Sequence, residues 1–355
     1  MATAASFLSS PASWRRSPRL LQTGRLGELR YRATHAAIGL CFGLGGRVWT
    51  GALMREHPRL PVEVIHHTRR RLRATLERDL ENARAGRYPA ALLHSFPFRR
   101  FARQMPGGIL EMRRVLMRAR NGAYNDLPTN VDIERYPAYY RRTFHWQTDG
   151  WLSDRSAEIY DFGVEFLFAG TANIMRRMAI PPLTEHLAGT ARPRVLDVGT
   201  GTGAFLEQLC VALPNAELTG VDLSPFYVRH ARTVVPAARF EVSNGERLPY
   251  ESGAFDAVSS VFLFHELPKD ARRRVVREMI RVLRPGGRVV ICDSAQVSDA
   301  ADILPALENF PRGYHEPYYK SYIRDDLADI LSDAGLLVRC SEPHLVSKVV
   351  VADKV

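Results

Sequence analysis

The sequence is poor in cysteine and lysine, and it has no long apolar run. Its four cysteines, Cys41, Cys210, Cys292 and Cys340, lie far apart and form no CxxC pair. This spacing argues against a disulfide framework or a zinc ribbon and fits a reducing, cytoplasmic compartment. No segment reaches the ~18 uninterrupted apolar residues of a membrane span. With 46% hydrophobic residues in 355, the chain is long enough to bury a sizeable core.

Acidic residues are scarce in the N-terminal part. Residues 1–135 hold 24 arginines against 10 acidic residues, a balance of +14, whereas the rest of the chain has a balance of −3. Residues 1–27 contain no acidic residue, a composition that fits a disordered tail and also resembles an organelle transit peptide. The basic N-terminal part can attract anionic lipid headgroups or nucleic acid.

Three regions are predicted to precede a larger C-terminal domain. They are a disordered tail, a basic helical extension and an aromatic-rich helical segment, over residues 1–27, 28–135 and 136–185. Within the extension, residues 33–46 suit a buried or interfacial helix, and residues 60–84 suit a charged helix that carries Arg69 to Arg73. The aromatic residues at the start of the third region either close over a ligand or pack the extension onto the core.

Prolines and glycines divide the remaining helical stretches. Residues 88–125 are predicted as helix interrupted at Pro97 and at the Pro106-Gly107-Gly108 run. A further helix is predicted over residues 154–178, capped by Ser153 or Asp154.

From residue 194 onwards, short β-rich runs alternate with helical segments. Strands are predicted over residues 194–198, 217–221, 239–242, 255–262 and 288–292, followed by two closing strands over 337–340 and 345–351. The alternation predicts an α/β domain over residues 186–355, with a Rossmann-like, doubly wound, mainly parallel seven-stranded sheet. Because no long helix separates the two closing strands, they are expected to form an antiparallel hairpin at one sheet edge.

A glycine-rich turn follows the first predicted strand. The run Asp197-Val198-Gly199-Thr200-Gly201-Thr202-Gly203 leads directly into a helix. Glycines allow a tight turn and let a ligand approach bare backbone, while the free N–H groups at a helix start bind polar ligand atoms. Asp222 ends the next strand, where its carboxylate is placed to accept both hydroxyls of a ribose. Its alternative role is an N-cap for the helix after Pro225.

The acidic residue precedes the glycines, which distinguishes this run from the nicotinamide-binding fingerprint. The run resembles motif I of class I S-adenosylmethionine-dependent methyltransferases. The Asn244-Gly245-Glu246-Arg247-Leu248-Pro249-Tyr250 segment is similar to that family's D-A-E-x-L-P-F segment, with Asn in place of the usual Asp. Arg284-Pro285-Gly286-Gly287 is similar to the family's turn before strand five.

The resemblance implies S-adenosylmethionine as the cofactor. The residues that it assigns to cofactor binding are Asp197, Gly199, Thr200, Gly201, Gly203, Asp222, Leu223, Asn244, Gly245 and Phe262. It is strongest towards quinone- and sterol-modifying methyltransferases, which implies a small lipophilic or aromatic acceptor. Methyl transfer is an in-line displacement that depends mainly on positioning, so no strong catalytic signature is expected.

Two segments after predicted strands offer candidate catalytic residues. His265 follows strand four and can abstract a proton, orient the acceptor or cap the next helix. Tyr314 and His315 lie in the insert over residues 295–322, which either contributes to an acceptor pocket or forms a surface loop. No metal site is expected, because the adjacent pairs His265-Glu266 and His315-Glu316 are predicted not to share a face and no HxxxH spacing exists.

Two other functions are consistent with the same motifs. A nucleic-acid methyltransferase would use the basic N-terminal part, but amine-methylating enzymes of that kind carry (Asp/Asn)-Pro-Pro-aromatic where this chain has Ser259-Ser260-Val261-Phe262. The second alternative function is that of a non-catalytic S-adenosylmethionine-binding module at a membrane surface. For the favoured small-molecule enzyme, peripheral membrane contact is expected through residues 33–46 and Arg69 to Arg73.

Overall fold

The computed structural model describes residues 24–53 and 60–355 of the chain. Its strands are β1 (Arg194–Val198), β2 (Glu217–Asp222), β3 (Arg239–Val242), β4 (Phe255–Val261), β5 (Leu283–Ser294), β6 (Leu337–His344) and β7 (Ser347–Asp353). They form one sheet in the order β3-β2-β1-β4-β5-β7-β6. β1 to β5 are parallel, and β7 is antiparallel to both β5 and β6. The predicted Rossmann-like sheet and its C-terminal hairpin at one edge are confirmed.

Helices precede and cover this sheet. They are α1 (Arg25–Leu53), α2 (Val62–Arg84), α3 (Phe98–Asn121), α4 (Asp154–Leu167), α5 (Ala172–Arg177), α6 (Ile180–His186), α7 (Ala204–Ala212), α8 (Pro225–Val234), α9 (Lys269–Val282), α10 (Leu304–Gly313), α11 (Tyr319–Tyr322) and α12 (Leu327–Asp333). The end of the predicted tail, from Arg25, is helical, while residues 1–23 lie outside the described residues. Among the described helices, none has the length and apolar character needed to cross a membrane.

Both faces of the sheet are buried, as parallel strands covered by helices require. On β1, Leu196 and Val198 pack into one apolar cluster and Val195 packs into the other. The extension contributes to both clusters, through Val64 and Leu80 of α2. The extension therefore shares the core of the C-terminal domain.

α3 continues through the proline at which an interruption was predicted. Pro106 lies inside the helix, and the glycines that follow it make no turn. A Cβ at Gly108 would lie 2.5 Å from the ring of Phe162 in α4. Gly108 therefore permits close packing of two helices, which the proline-glycine pattern did not reveal.

The helix predicted over residues 154–178 is broken in its middle. Ser153 caps α4 as predicted, but the helix ends at Leu167, and Ala169 and Gly170 have φ values of 50° and 80°. A Cβ at Gly170 would lie 2.1 Å from Ile38 Cγ2 of α1. The break lets α1 pack against this turn, so its cause is a contact distant in sequence.

β5 begins earlier than predicted. It starts at Leu283, and its pairing with β4 shifts register between Phe255 and Ala257. Gly286 has a φ of 72° within this stretch. The Pro-Gly-Gly turn predicted before the strand is therefore the irregular start of the strand itself.

A buried ion pair links the extension to the core. Asp79 of α2 and Arg177 of α5 are at most 2% exposed, and Arg177 Nε donates to Asp79 Oδ1 at 2.9 Å. The hydroxyls of Tyr31 and Tyr88 donate to the same carboxylate, and Arg177 also donates to Gln208 of α7 at 3.3 Å. Since the carboxylate accepts hydrogen bonds from three side chains, the network offsets much of the desolvation cost of the two charges.

Replacing Asp79 by alanine is expected to lower the free energy of unfolding by about 3–5 kcal/mol, because Arg177 would stay buried without a counter-charge. Urea unfolding followed by circular dichroism measures the loss. The matched control is Asp132→Ala, whose exposed carboxylate pairs with Arg135 at the surface and should change stability by less than about 1 kcal/mol. Equal unfolding midpoints for the two variants would contradict the linking role of the buried pair.

Candidate active site

Three glycines in left-handed backbone conformations build the loop between β1 and α7. Gly199, Gly201 and Gly203 have φ values of 73°, 55° and 83°, which residues with a side chain adopt only at a cost. The N–H groups of Gly199 and Thr200 both donate to the Val221 carbonyl at 2.9 Å, so β2 fixes the start of the loop. A Cβ at Gly201 would meet nothing within 4 Å. The bare backbone at Gly201 therefore faces open space.

Asp222 closes the loop from the end of β2. Its carboxylate accepts the Gly201 N–H at 2.9 Å and the Ser224 N–H at 2.8 Å, and burial raises its pKa. The cap of α8 is Ser224, whose hydroxyl accepts from the Tyr227 N–H. The alternative role of Asp222 as an N-cap is therefore wrong, and the carboxylate instead lines a cavity beside Leu223.

A cavity of about 100 Å³ lies at the carboxyl ends of β1, β2 and β4, where open α/β sheets bind ligands. It brings together most of the predicted cofactor residues, namely Gly199, Gly201, Asp222, Leu223, Asn244, Gly245 and Phe262. Asn244 Oδ1 already accepts the Glu246 N–H at 2.9 Å, so a ligand amine would share that oxygen. A Cβ at Gly245 would lie 2.9 Å from Val198 Cγ1, which explains the glycine there.

The aromatic-rich segment covers this smaller cavity. Tyr139, Tyr140 and Trp151 line it. The Tyr139 hydroxyl donates to Glu246 Oε1 at 2.5 Å, and Ser224 Oγ donates to the Trp151 carbonyl at 2.5 Å. The two hydrogen bonds agree with the predicted packing of the segment onto the core, and the position of the three rings at the cavity also fits the predicted closure over a ligand.

A larger cavity of about 380 Å³, called the chamber below, continues from the glycine loop. Gly199, Gly201 and Phe262 line both cavities, so the two spaces meet at the loop. The chamber walls are mainly apolar and include Met112, Val115, Ile159, Phe162, Phe166, Phe168, Phe205, Leu307, Phe310, Tyr314 and Tyr319. These residues come from α3, α4 and the turn that follows it, α7, and the insert after β5. The insert thus forms part of a pocket, and the walls suit a flat apolar molecule.

Three residues of the glycine motif do not line the smaller cavity. Asp197 and Thr200 line the chamber, and burial raises the pKa of Asp197 to about 7. Gly203 lines neither cavity, and a Cβ there would lie 3.3 Å from both Ala231 and Phe240. Its predicted cofactor contact is corrected to a packing role that lets α7 approach α8 and β3.

His265 faces the chamber and does not cap a helix. α9 begins at Lys269 without a side-chain cap, whereas His265 lines the chamber and its Nδ1 lies 2.7 Å from Asp293 Oδ1. Burial disfavours the cation, but attraction by Asp293 and Glu266 outweighs burial and raises the pKa of His265 to about 9. The predicted role in orienting an acceptor fits this ring better than proton abstraction.

Three further side chains converge on His265. His145 Nε2 lies 3.2 Å from Glu266 Oε1 and also contacts Glu316 Oε1. Burial opposes the His145 cation, but Glu316 and Glu266 outweigh it and raise the pKa of His145 well above its ordinary value. Burial and repulsion by Glu316 raise the pKa of Glu266 to about 7.

The reasoning that excluded a metal site rested on a wrong geometry. The 3-10 turn Phe264–Glu266 brings the two neighbouring side chains together, with His265 Nε2 3.5 Å from Glu266 Oε1. Glu316 joins them from the insert, and His145 joins them from the aromatic-rich segment.

The two candidate catalytic residues of the insert, Tyr314 and His315, lie in different surroundings. Tyr314 lines the chamber as expected. The ring of His315 packs between Tyr124 and Trp146, with centroids 5.1 and 5.0 Å away, and is not among the chamber walls. The predicted catalytic role of His315 is therefore corrected to packing, while its carbonyl accepts the His145 N–H at 3.3 Å.

Sequence reasoning missed Arg176 as well as His145, Glu266 and Glu316. Arg176 is buried, lines the chamber and lies 3.8 Å from Asp161 Oδ1. The local signal for Arg176 is the arginine pair in the otherwise apolar run of α5. No comparable signal marks His145, which stands in a run dense in aromatic residues.

Comparison with known proteins agrees with this geometry. Residues 195–287 match a family described as a methyltransferase domain. A demethylmenaquinone methyltransferase of Chlorobaculum tepidum is 34% identical over 142 residues, which cover 40% of this chain and 57% of that protein. One of Deinococcus radiodurans is 38% identical over 138 residues, covering 38% of this chain and 55% of that protein. The crystal structure of a SAM dependent methyltransferase from Aquifex aeolicus covers 50% of this chain and 93% of its own, at 23% identity and a TM-score of 0.39.

Residues 195–287 thus match a methyltransferase domain, and the glycine loop and Asp222 agree with the class I S-adenosylmethionine-dependent type. Within that class the chain is similar to quinone methyltransferases. The chain spans less than two thirds of the length of either relative.

Asp222→Ala is expected to weaken S-adenosylmethionine binding by about 1.5–3 kcal/mol, the scale for a hydrogen bond to a charged group. The variant loses the carboxylate predicted to accept the ribose hydroxyls and the link to the Gly201 N–H. Isothermal titration calorimetry measures the affinity. The control is Glu217→Ala, at the opposite end of β2, whose side chain pairs with Arg192 at the surface. Unchanged affinity in Asp222→Ala would contradict the assignment of the smaller cavity to the cofactor.

Proposed function

We propose that the protein transfers a methyl group from S-adenosylmethionine to a small lipophilic or aromatic acceptor. The observation that carries the proposal is the position of the glycine loop, between the cavity that holds Asp222 and the apolar chamber. A ligand bound at the loop would present its reactive end to a second molecule in the chamber. The names of the relatives from Chlorobaculum tepidum and Deinococcus radiodurans support a quinone as that molecule.

The residues at the loop fit S-adenosylmethionine. Gly201 leaves open space at the bare backbone, Asp222 supplies an acceptor for ribose hydroxyls, and Arg176 supplies a positive charge for an amino-acid carboxylate. When bound, S-adenosylmethionine supplies an electrophilic methyl group. The chain itself contributes alignment of the two ligands and exclusion of water by the aromatic walls. The same apolar walls disfavour the nucleic-acid alternative.

His265 is the residue best placed to orient the acceptor. Asp293 engages its Nδ1 at 2.7 Å, so Nε2, which lies 3.5 Å from Glu266 Oε1, is the nitrogen left to interact with a ligand. From there it can interact with an oxygen on the acceptor ring and fix the face that meets the methyl group. Tyr314 and Tyr319 complete this end of the chamber.

His265→Ala is expected to lower turnover by about 100-fold, the lower end of the range for a side chain that acts on a reacting group. The affinity for S-adenosylmethionine should stay unchanged, because His265 lies on the acceptor side. The assay measures S-adenosylhomocysteine formed with demethylated naphthoquinols, phenols and isoprenoid quinols. His186→Ala, on α6, is the matched control and should keep full turnover. If the wild-type chain binds S-adenosylmethionine and methylates none of these acceptors, the non-catalytic module becomes the better explanation.

We also propose that the protein is cytoplasmic and contacts an anionic membrane surface through α3. The inner face of α3 lines the chamber with Met112 and Val115. Its outer face exposes a set of apolar side chains between exposed arginines, namely Phe98, Met105, Ile109, Leu110 and Met117 with Arg99, Arg103, Arg113 and Arg120. Apolar residues flanked by arginines are typical of helices that lie in the interface of anionic bilayers. A lipophilic acceptor would then enter the chamber beside the helix.

The basis of this contact differs from the one predicted from sequence. Arg71 of α2 is engaged inside the protein, where its Nε donates to Asp302 at 3.0 Å. Residues 33–46 belong to α1, whose Ile38 is buried while Leu40 and Leu44 are exposed. Because Arg69, Arg70 and Arg73 remain exposed, α3 adds to the contact predicted for Arg69 to Arg73.

The membrane contact is tested by sedimentation with phosphatidylglycerol-containing liposomes at low salt. The wild-type chain should sediment with them, and Ile109→Asp should reduce the bound fraction severalfold, because it places a negative charge in the interface. Val242→Asp on β3 is the control, since Val242 is about as exposed, at 51% against 61% for Ile109. Failure of the wild-type chain to sediment would refute the contact.

A further inference from the structure

Four side chains with metal-binding chemistry converge beside the chamber. His145, His265, Glu266 and Glu316 each place one ligand atom within 4.8 Å of the others, and together they are called the His-Glu cluster. Among the residues that the structure describes, it is the only group of this kind. Imidazole nitrogens combined with carboxylate oxygens form the donor set of many divalent metal sites.

Among the described residues, one carboxylate oxygen of each glutamate in the cluster lacks a hydrogen-bond donor, while His145 contacts the other oxygen. Both glutamates are at most 5% exposed, and within the described part of the chain no group donates a hydrogen bond to Glu266 Oε2 or Glu316 Oε2. Buried carboxylate oxygens without a partner are rare and costly. A metal cation bound by these free oxygens would remove that penalty.

The histidines are held so that one nitrogen of each is directed at the cluster. Asp293 Oδ1 lies 2.7 Å from His265 Nδ1, and Asp293 itself accepts the N–H groups of Phe264 and Ser294 at 2.7 Å. A carboxylate on the far nitrogen of a ligating imidazole is the usual outer partner in metal sites. His145 reaches the cluster from a left-handed backbone conformation, with a φ of 54°.

We propose that the His-Glu cluster binds one divalent first-row transition-metal ion, such as zinc, manganese or cobalt. Mixed nitrogen and oxygen ligands favour these ions over magnesium and calcium, which prefer oxygen ligands. Binding displaces protons from the imidazoles. Because His145 and His265 line the chamber, the ion would take an oxygen of the acceptor as a further ligand and acidify its hydroxyl. This last step rests on the proposed function, and it narrows the acceptor to molecules with a hydroxyl on the ring.

The metal site is tested on the full chain after dialysis against a chelator. Titration with Co²⁺ should produce visible d–d absorption that saturates at one ion per chain. Zn²⁺ should displace the cobalt, and Mg²⁺ should not. Mass spectrometry of the zinc-loaded protein after desalting should give one zinc per chain.

Two variants and two matched controls locate the site. His145→Ala and Glu316→Gln each remove a ligand, so cobalt affinity should fall by about 100-fold or more, beyond the usual effect of an outer partner. His344→Ala and Glu342→Gln alter the same residue types in a pair 3.9 Å apart on β6. These controls should keep the cobalt affinity of the wild-type chain.

Two results would overturn the inference. One is a wild-type chain that takes up no more cobalt than His145→Ala, which would leave an ion-pair network in place of a metal site. The other is a loss of cobalt affinity in the control variants equal to the loss in the ligand variants, which would mean that the ion binds elsewhere on the protein. Calorimetric titration of the same samples with S-adenosylhomocysteine reports on folding. Cofactor binding without metal uptake rejects only the metal site, whereas absent cofactor binding rejects the proposed function.

Discussion

The chamber depends on the buried pair of Asp79 and Arg177. Burial opposes the Asp79 carboxylate, but the attraction of Arg177 and the hydrogen bonds from Arg177, Tyr88 and Tyr31 together outweigh burial and lower the pKa of Asp79. The stabilisation is therefore present at neutral pH and is lost only as pH falls through that lowered pKa. Arg177 fixes α5, and the preceding residue in the helix, Arg176, faces the chamber. Because successive residues on a helix point about 100° apart, one short helix both joins the extension and carries a charge to the glycine loop.

The basic extension and the C-terminal domain are therefore distinct in sequence, but they are not separate units in the structure. α3 supplies chamber walls through Gly108, Glu111, Met112 and Val115, and Arg118 of the same helix donates to the Trp146 carbonyl at 2.8 Å. The helix thus has an inner face that contacts the acceptor space and an outer face that is apolar and basic. An acceptor that is soluble mainly in lipid would have to pass from a membrane surface into the chamber, and α3 would face both.

The sheet and the cofactor cavity were predictable because their signals are local. Gly199, Gly201 and Asp222 follow strands that the apolar pattern identifies, and parallel strands bring their carboxyl ends together. The His-Glu cluster was not predictable in this way. Its members come from three distant segments, and their convergence depends on the backbone turn at His145. The helix break at Gly170 was not predictable from local sequence either, because it is determined by contact with Ile38, which is distant in sequence.

Backbone strain is concentrated where these distant segments meet. Five non-glycine residues with positive φ belong to segments that border the two cavities: His145, Trp146, Asp149, Ala169 and Phe262. Such conformations cost about 1–3 kcal/mol each and persist only where the surroundings determine them. The Phe262 N–H donates to the Cys292 carbonyl of β5 at 2.8 Å, so the sheet holds that residue. The turn at His145 is held instead by Arg118 and the insert. The C-terminal domain therefore supplies the glycine loop and Asp222, while Tyr139, Tyr140 and Trp151 complete the smaller cavity and α3 and α4 complete the chamber.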